Sequence, residues 1–291
     1  MYSIDAIQGD YGPRKRITGR LPDLPALIKM YEQDSAFLCG SLAKFRPQKI
    51  VEVGVANGGT SAVIMQCLHD LGLSSSIYSI DILEKGFDGS EREIGFLGKE
   101  AGRLLDFKGY HLFKGVCLPQ VIEQIGGGID FLILDTVHRL PGEVLDFLAA
   151  YPYLAENAVV CMHDIILNQK TPPDQGSIAT NALMNSVAAD KYINLDPTRV
   201  SGYPNIGAFQ INQDTGKYIS NVFGVLTQNW SYFPPQDTLE EYGKIIHARY
   251  PAEPCWIYDR AVEMNAVSVE AGMKKRSFAG RIMQKLTTGK H

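Results

Sequence analysis

The stretch Ile50-Val51-Glu52-Val53-Gly54-Val55-Ala56-Asn57-Gly58-Gly59-Thr60-Ser61 decides how the rest of the chain is read. Ile50, Val51 and Val53 are β-branched, enough for a short buried strand. The run then breaks into glycines at Gly54, Gly58 and Gly59. Beyond them Val63, Ile64, Cys67, Leu68 and Leu71 recur on one helical face, and Gly72 supplies a stop. Strand, glycine turn and helix form the opening unit of a nucleotide-binding α/β sheet. The glycines let a ligand approach the backbone, and the helix start offers unpaired N–H groups. A dinucleotide-binding turn reads Gly-x-Gly-x-x-Gly. Here the frame is Glu-x-Gly-x-x-x-Gly-Gly-Thr-Ser, which disfavours a nicotinamide-dependent oxidoreductase. A tight turn with another ligand, or none, stays open at this point.

The whole chain sets bounds. Its 291 residues can bury a large core, as one big domain or a domain with an appendage. Charged residues make up 21% and hydrophobic ones 45%, an ordinary soluble balance. A net charge of −4 argues against a general nucleic-acid binder. The five cysteines are odd in number and scattered, without a Cys-x-x-Cys pair. That usage fits reduced thiols in a cytoplasmic protein and disfavours a zinc site. No apolar run reaches the roughly 20 residues a membrane span needs, and Met1–Arg20 is too polar for a secretory signal.

Taken in order, residues 1–20 carry no fold signal, and Arg14-Lys15-Arg16 reads as solvated surface. Leu21–Arg46 has the spacing of one or two helices, stopped by Pro47. Ser76–Ile80 reads as a strand ending at Asp81. A carboxylate there can accept both ribose hydroxyls of an adenosine, although a turn or N-cap aspartate is the rival reading. A loop over Leu83–Ser90, a helix over Glu91–Leu105, a strand over His111–Gly115 and a short helix over Gln120–Ile125 follow. Ile129–Leu134 is an apolar run interrupted only by Asp130, the pattern of a central parallel strand, with Asp135 at its carboxyl end. A helix carries Val144, Phe147, Leu148 and Tyr151 on one face. Ala158–Met162 is another buried strand, ending in His163-Asp164.

Two adjacent strands therefore bring Asp135, His138, His163 and Asp164 to one rim. Such a set can hold a divalent cation: oxygen ligands favour magnesium or manganese, and imidazole shifts preference towards manganese, iron or zinc. An exposed histidine opening a helix is the bland alternative for His138, and buried packing is the alternative for His163. Ile165–Gly176 reads as a lid-type loop and Thr180–Ala189 as a helix. Lys191–Leu195 and Asn205–Ile211 read as strands joined through Pro197–Pro204. Helices over Tyr218–Trp230, Thr238–Tyr250 and Pro254–Val269 complete the pattern. Trp230, Tyr232 and Phe233 are either core aromatics or pocket lining. The basic tail (Lys274, Lys275, Arg276, Arg281, Lys285, Lys290) reads as a solvated helix end, with contact to a membrane surface or an anionic partner as the minority reading.

The order glycine turn, ribose acid, Asp-x-x-His, His-Asp runs over Lys49–Ile165. It resembles class I S-adenosylmethionine-dependent methyltransferases. Within them it is similar to metal-dependent O-methyltransferases of the catechol type, and more closely to the bacterial group of cephalosporin-hydroxylase-like proteins and macrolide sugar O-methyltransferases. The resemblance implies an α/β fold with a doubly wound, Rossmann-like seven-stranded sheet over residues 47–212. A helical lead-in over 1–46 and a helical extension over 213–291 would flank it. It implies S-adenosylmethionine held at Glu52, Gly54, Gly58, Gly59, Ser61, Asp81, Gly115, Val116 and Asp135. It further implies a magnesium or manganese ion on Asp135, His163 and Asp164, His138 as general base, and as acceptor a hydroxyl on a sugar, glycoside or other small molecule. Self-association into a homo-oligomer is left open. One departure stands out: the first residue of the strand-five pair is usually acidic in that group, and here it is His163. A metal-independent methyltransferase and a non-catalytic cofactor-binding module are the alternatives.

Overall fold

The structure, a computed structural model, describes residues 4–21, 27–28, 30–86, 91–169, 176, 178–193 and 205–267. Eight strands make one sheet: β1 (Ile4–Ala6), β2 (Lys49–Val53), β3 (Ser76–Asp81), β4 (Tyr110–Lys114), β5 (Ile129–Leu134), β6 (Leu154–His163), β7 (Asp190–Ile193) and β8 (Ile206–Gln210). Their order is β1-β7-β8-β6-β5-β2-β3-β4. Only β8 runs antiparallel to its neighbours β6 and β7.

The apolar runs explain the layering. Successive strand residues face opposite sides, so Phe131 and Ile133 join one buried cluster while Leu132 and Leu134 join the other. Helices Glu32–Phe45, Gly59–Asp70 and Phe96–Leu104 cover the first side. Helices Leu118–Ile125, Gly142–Ala150 and Gln236–Arg249 cover the second. Helices on both faces of a mainly parallel sheet are the doubly wound arrangement expected. β2 pairs with β3 on one side and β5 on the other, so strand order reverses there. At such a switch point the carboxyl ends of the strands open a crevice for ligands.

Three differences from the sequence reading stand out. The sheet has eight strands instead of seven, because Ile4–Ala6 adds to β7 in parallel register. The Arg14 cluster is not simply solvated: Arg14 donates to the Met30 carbonyl and, at 3.0 Å, to Ser35 Oγ, and Arg16 pairs with Asp70. The Tyr218–Trp230 helix is instead two short helices, Gln213–Lys217 and Ile219–Val225, the first capped by Asn212. Residues 252–267 form the last helix described. The basic tail, the Pro197–Pro204 connection and half of the lid-type loop, residues 170–175, lie outside the described residues.

Candidate active site

The turn after β2 is built from residues that only its sequence tolerates. Gly54 has φ +90°, and a Cβ there would lie 2.0 Å from the Asp135 carbonyl oxygen. The Gly54 N–H donates to the Ile80 carbonyl and the Asp135 N–H to the Val53 carbonyl, which lock turn and strands together. Asp81 buckles the loop from the other side: Oδ2 accepts from Val55 and Ala56 N–H, both at 2.9 Å, and Oδ1 from Leu83 N–H. Glu52 is fully buried and accepts from Ser61 Oγ at 2.6 Å and Ser79 Oγ at 2.5 Å. Burial pushes its pKa up to about 7, against the pull of the two hydroxyls.

These elements wall a cavity of about 720 Å3. Of the residues expected around a cofactor, Gly54, Gly59, Asp81, Val116 and Asp135 line it. Glu52, Gly58 and Ser61 are buried behind that surface, where Glu52 is gripped by two serines, and Gly115 is exposed outside the cavity lining. Leu27, Ile28, Met30 and Tyr31 roof the glycine turn, so the lead-in does cover this space. Tyr232 and Pro234 reach the cavity, whereas Trp230 packs on Phe233 and is 8% exposed.

At the ends of β5 and β6 the expected rim assembles. His138 Nε2 stands 3.5 Å from Asp135 Oδ1 and 3.5 Å from Asp164 Oδ2. His163 is buried behind them, with Nδ1 3.4 Å from both carboxylates and Nε2 3.3 Å from Asp34 Oδ2. Two rim residues hold the left-handed backbone region, His138 at φ 58° and Asp164 at φ 55°. Such conformations are uncommon away from glycine and cluster at functional sites.

The charges are interlocked. Desolvation works against a proton on His138, yet Glu143, Asp135 and Asp164 together raise its pKa to about 9. His163 likewise overcomes its burial through Asp135, Asp34 and Asp164 and is held well above the usual imidazole range. Burial pushes Asp135 up, but His163 and His138 prevail and its carboxyl lies below the ordinary value.

Three residues here escaped the sequence reading. Glu143, fully buried, accepts the His138 N–H at 2.7 Å and the Thr136 N–H at 3.1 Å, and its Oε1 lies 3.1 Å from His138 Nδ1. Its place in the first turn of the helix after the rim was the available signal. Asp34 and Asn205, which contact His163 at 3.3 Å, gave none, being 129 and 42 residues away along the chain.

Residues 51–165 match a family described as a methyltransferase domain. The match covers less than half of the 291 residues. No curated protein matches. Among solved structures, the chain is similar to the O-methyltransferase TomG from Streptomyces achromogenes, involved in tomaymycin synthesis and bound to S-adenosylmethionine: 16% identity, 71% of this chain and 92% of that chain covered, TM-score 0.48. An O-methyltransferase from Bacillus cereus, in complex with S-adenosylhomocysteine, is similar at 17% identity, with 68% and 90% covered and a TM-score of 0.44.

The site is compatible with S-adenosylmethionine, the cofactor that the sequence resemblance implies. The cavity has the size of a small-molecule site, and Gly54 and Gly59 of the glycine turn line it. A divalent ion is also compatible with the donor set, because ligand atoms of Asp135, His138 and Asp164 all lie within 4.8 Å of one another. The set therefore contains His138, with His163 contacting its two carboxylates from behind. No helix among the described residues is long and apolar enough to cross a membrane.

Proposed function

We propose that the chain is an S-adenosylmethionine-dependent methyltransferase acting on a hydroxyl of a sugar, glycoside or other small molecule, assisted by magnesium or manganese. Asp135 and Asp164 are the metal ligands in this reading, His163 fixes them from behind, and His138 accepts the hydroxyl proton. One observation carries it: two strand-end carboxylates and an imidazole converge on the wall of the cavity that begins at the glycine turn.

S-adenosylmethionine supplies an electrophilic methyl group, whose transfer requires an oxygen nucleophile aligned in line with it. A divalent cation supplies positive charge that acidifies a bound hydroxyl. Asp135 and Asp164 hold their positions because His163 pairs with both, while Asp34 and Asn205 anchor His163. Glu143 holds the His138 backbone N–H and so sets where the ring stands. In the metal-free site His138 keeps its proton up to about pH 9. Once the two aspartates are engaged elsewhere, only Glu143 still favours that proton, and the imidazole becomes a usable base nearer neutrality.

The test is turnover on a panel of sugar, glycoside and phenolic hydroxyls with manganese or with EDTA. Activity should need the metal, and Asp164→Asn should abolish the metal-dependent activity while S-adenosylhomocysteine affinity stays within a few-fold. His138→Gln should lower kcat by about 10²-fold or more, the size of a lost general base, with cofactor affinity unchanged. Full turnover in EDTA would refute the metal, and full turnover of His138→Gln would refute the base.

A further inference from the structure

The charged lining of the cavity is one-sided. Asp81, Asp135, Asp146 and Asp164 line it beside His138 and His163, and no described lining residue is Lys or Arg. Three of the four carboxylates are already answered. Asp81 accepts the Val55, Ala56 and Leu83 N–H groups, and Asp135 and Asp164 each stand within 3.5 Å of both histidines. Asp146, on helix Gly142–Ala150 and only 4% exposed, differs. Tyr242 Oη donates to its Oδ1 at 2.5 Å and Thr136 Oγ1 to its Oδ2 at 3.2 Å. Both donors are neutral hydroxyls, and each oxygen keeps a lone pair for a further donor. Among the described residues no Lys, Arg or His pairs with it. Burial first, and Glu143 after it, push its pKa to about 7 against the pull of the two hydroxyls. A cation brought beside such a carboxylate favours its charged form and gains an ion pair shielded from water.

The attachments of Asp146 tie it to the segment Asp135–Leu140, which carries the proposed base. Thr136 is the neighbour of Asp135, and Glu143, one helical turn before Asp146, holds the His138 N–H. The Tyr232 N–H donates to the Leu140 carbonyl at 3.2 Å. Burial, and then the charge of Asp146, raise the pKa of the Tyr232 hydroxyl, so these two residues stand close together. Tyr232 and Tyr242 both line the cavity. They bring aromatic surface to the carboxylate, a combination that suits an ammonium group.

On the reading of this cavity as a methyl-acceptor site, we propose that the acceptor carries a protonated amine besides its hydroxyl, and that Asp146, flanked by Tyr232 and Tyr242, selects it. Helix Gln236–Arg249 thereby takes part in acceptor choice, because Tyr242 orients the carboxylate. A phosphate, sulfate or carboxylate on the acceptor would meet four carboxylates instead, with no lysine or arginine among the described lining residues to receive it.

The experiment is calorimetric titration of the full chain, saturated with S-adenosylhomocysteine in a manganese buffer, with two matched sets of probes. Tyramine, p-ethylphenol and p-hydroxyphenylacetate share a phenol, and glucosamine, glucose and glucuronate share a sugar ring. Each set runs from cation through neutral form to anion. In at least one set the cation should bind about tenfold or more tighter than the neutral form, the scale of a hydrogen bond to a charged group, and the anion weakest. Asp146→Asn should erase the cation's advantage while S-adenosylhomocysteine affinity stays within a few-fold. Anions bound as tightly as cations, or no binding in either set, would overturn the proposal without any variant having to fold. A cation preference that persists in folded Asp146→Asn would overturn it too, and so would a lost S-adenosylhomocysteine affinity, which would assign the carboxylate to the cofactor. Turnover of all charge forms at equal kcat/KM with S-adenosylmethionine would overturn the amine and leave O-methylation standing. A cation preference in binding without any turnover would support the amine and refute O-methylation.

Discussion

Glu52 sits in an environment far removed from a carboxylate's usual solvated one. It is fully buried beneath the glycine turn, with one oxygen gripped by two serines and its pKa raised from 4.5 to about 7. Between those pH values the folded protein holds a proton that the unfolded chain has released. Stability contributed by this group therefore falls as pH rises from about 4.5 to about 7, and stays low above that. Glu52→Gln keeps the serine contacts and removes the ionisation. It should stabilise the cofactor-free protein at pH 8 by up to about 3 kcal/mol and change it little at pH 4, in thermal melts at both pH values. A gain of equal size at both would contradict the account. The sequence showed the frame of this site, since an acid two residues before a glycine is visible in a linear string. It did not show that Glu52 faces Ser61 and Ser79 instead of the cavity, because which face a side chain takes depends on the register with β3.

Among the elements, the short N-terminal strap was hidden. A three-residue strand carries no periodicity, so Ile4–Ala6 could not be told from a loop. What seats it is close backbone contact with helix Glu32–Phe45. A Cβ on Gly40 would stand 2.8 Å from the Gln8 carbonyl and 2.9 Å from the Gly9 Cα. Replacing a helix glycine with alanine usually stabilises, by about 1 kcal/mol. Gly40→Ala should instead destabilise, by about 1–3 kcal/mol as overpacking does, and should loosen β7, whose Ile193 carbonyl accepts the Ile7 N–H. Urea melts and hydrogen exchange at Ile7 check this, and an unchanged or raised midpoint would contradict it. The central strands β2, β3 and β5, by contrast, were legible to within a residue or two, whereas β6 starts at Leu154, four residues before the expected Ala158. Their apolar residues run on because both faces are buried, and acids stand at the ligand-edge ends of β3, β5 and β6, at Asp81, Asp135 and Asp164. The helix after β3 starts at Phe96, later than the spacing of Glu91–Leu105 suggested, because Gly95 at φ +71° turns the chain there.

For the molecule as a whole, two polar poles share one cavity. The rim at Asp135, His138 and Asp164 was legible because strand-end acids and histidines announce themselves in sequence. Its supports were not: Asp34 arrives from the lead-in to meet His163 across 129 residues, and elsewhere in the cavity wall Tyr242 of the extension meets Asp146 across 96. The regions flanking the 51–165 match are therefore parts of the site, and their roles follow from packing that no local pattern records. The most direct test of the central claim is one calorimetric experiment on the wild-type chain. S-adenosylhomocysteine is titrated in EDTA, and manganese is then titrated into the metal-free complex. The account predicts saturable one-to-one cofactor binding, followed by a separate heat for one metal ion that Asp135→Asn removes. Absence of both signals would contradict it, leaving the glycine turn and its acid rim without the ligands their chemistry calls for.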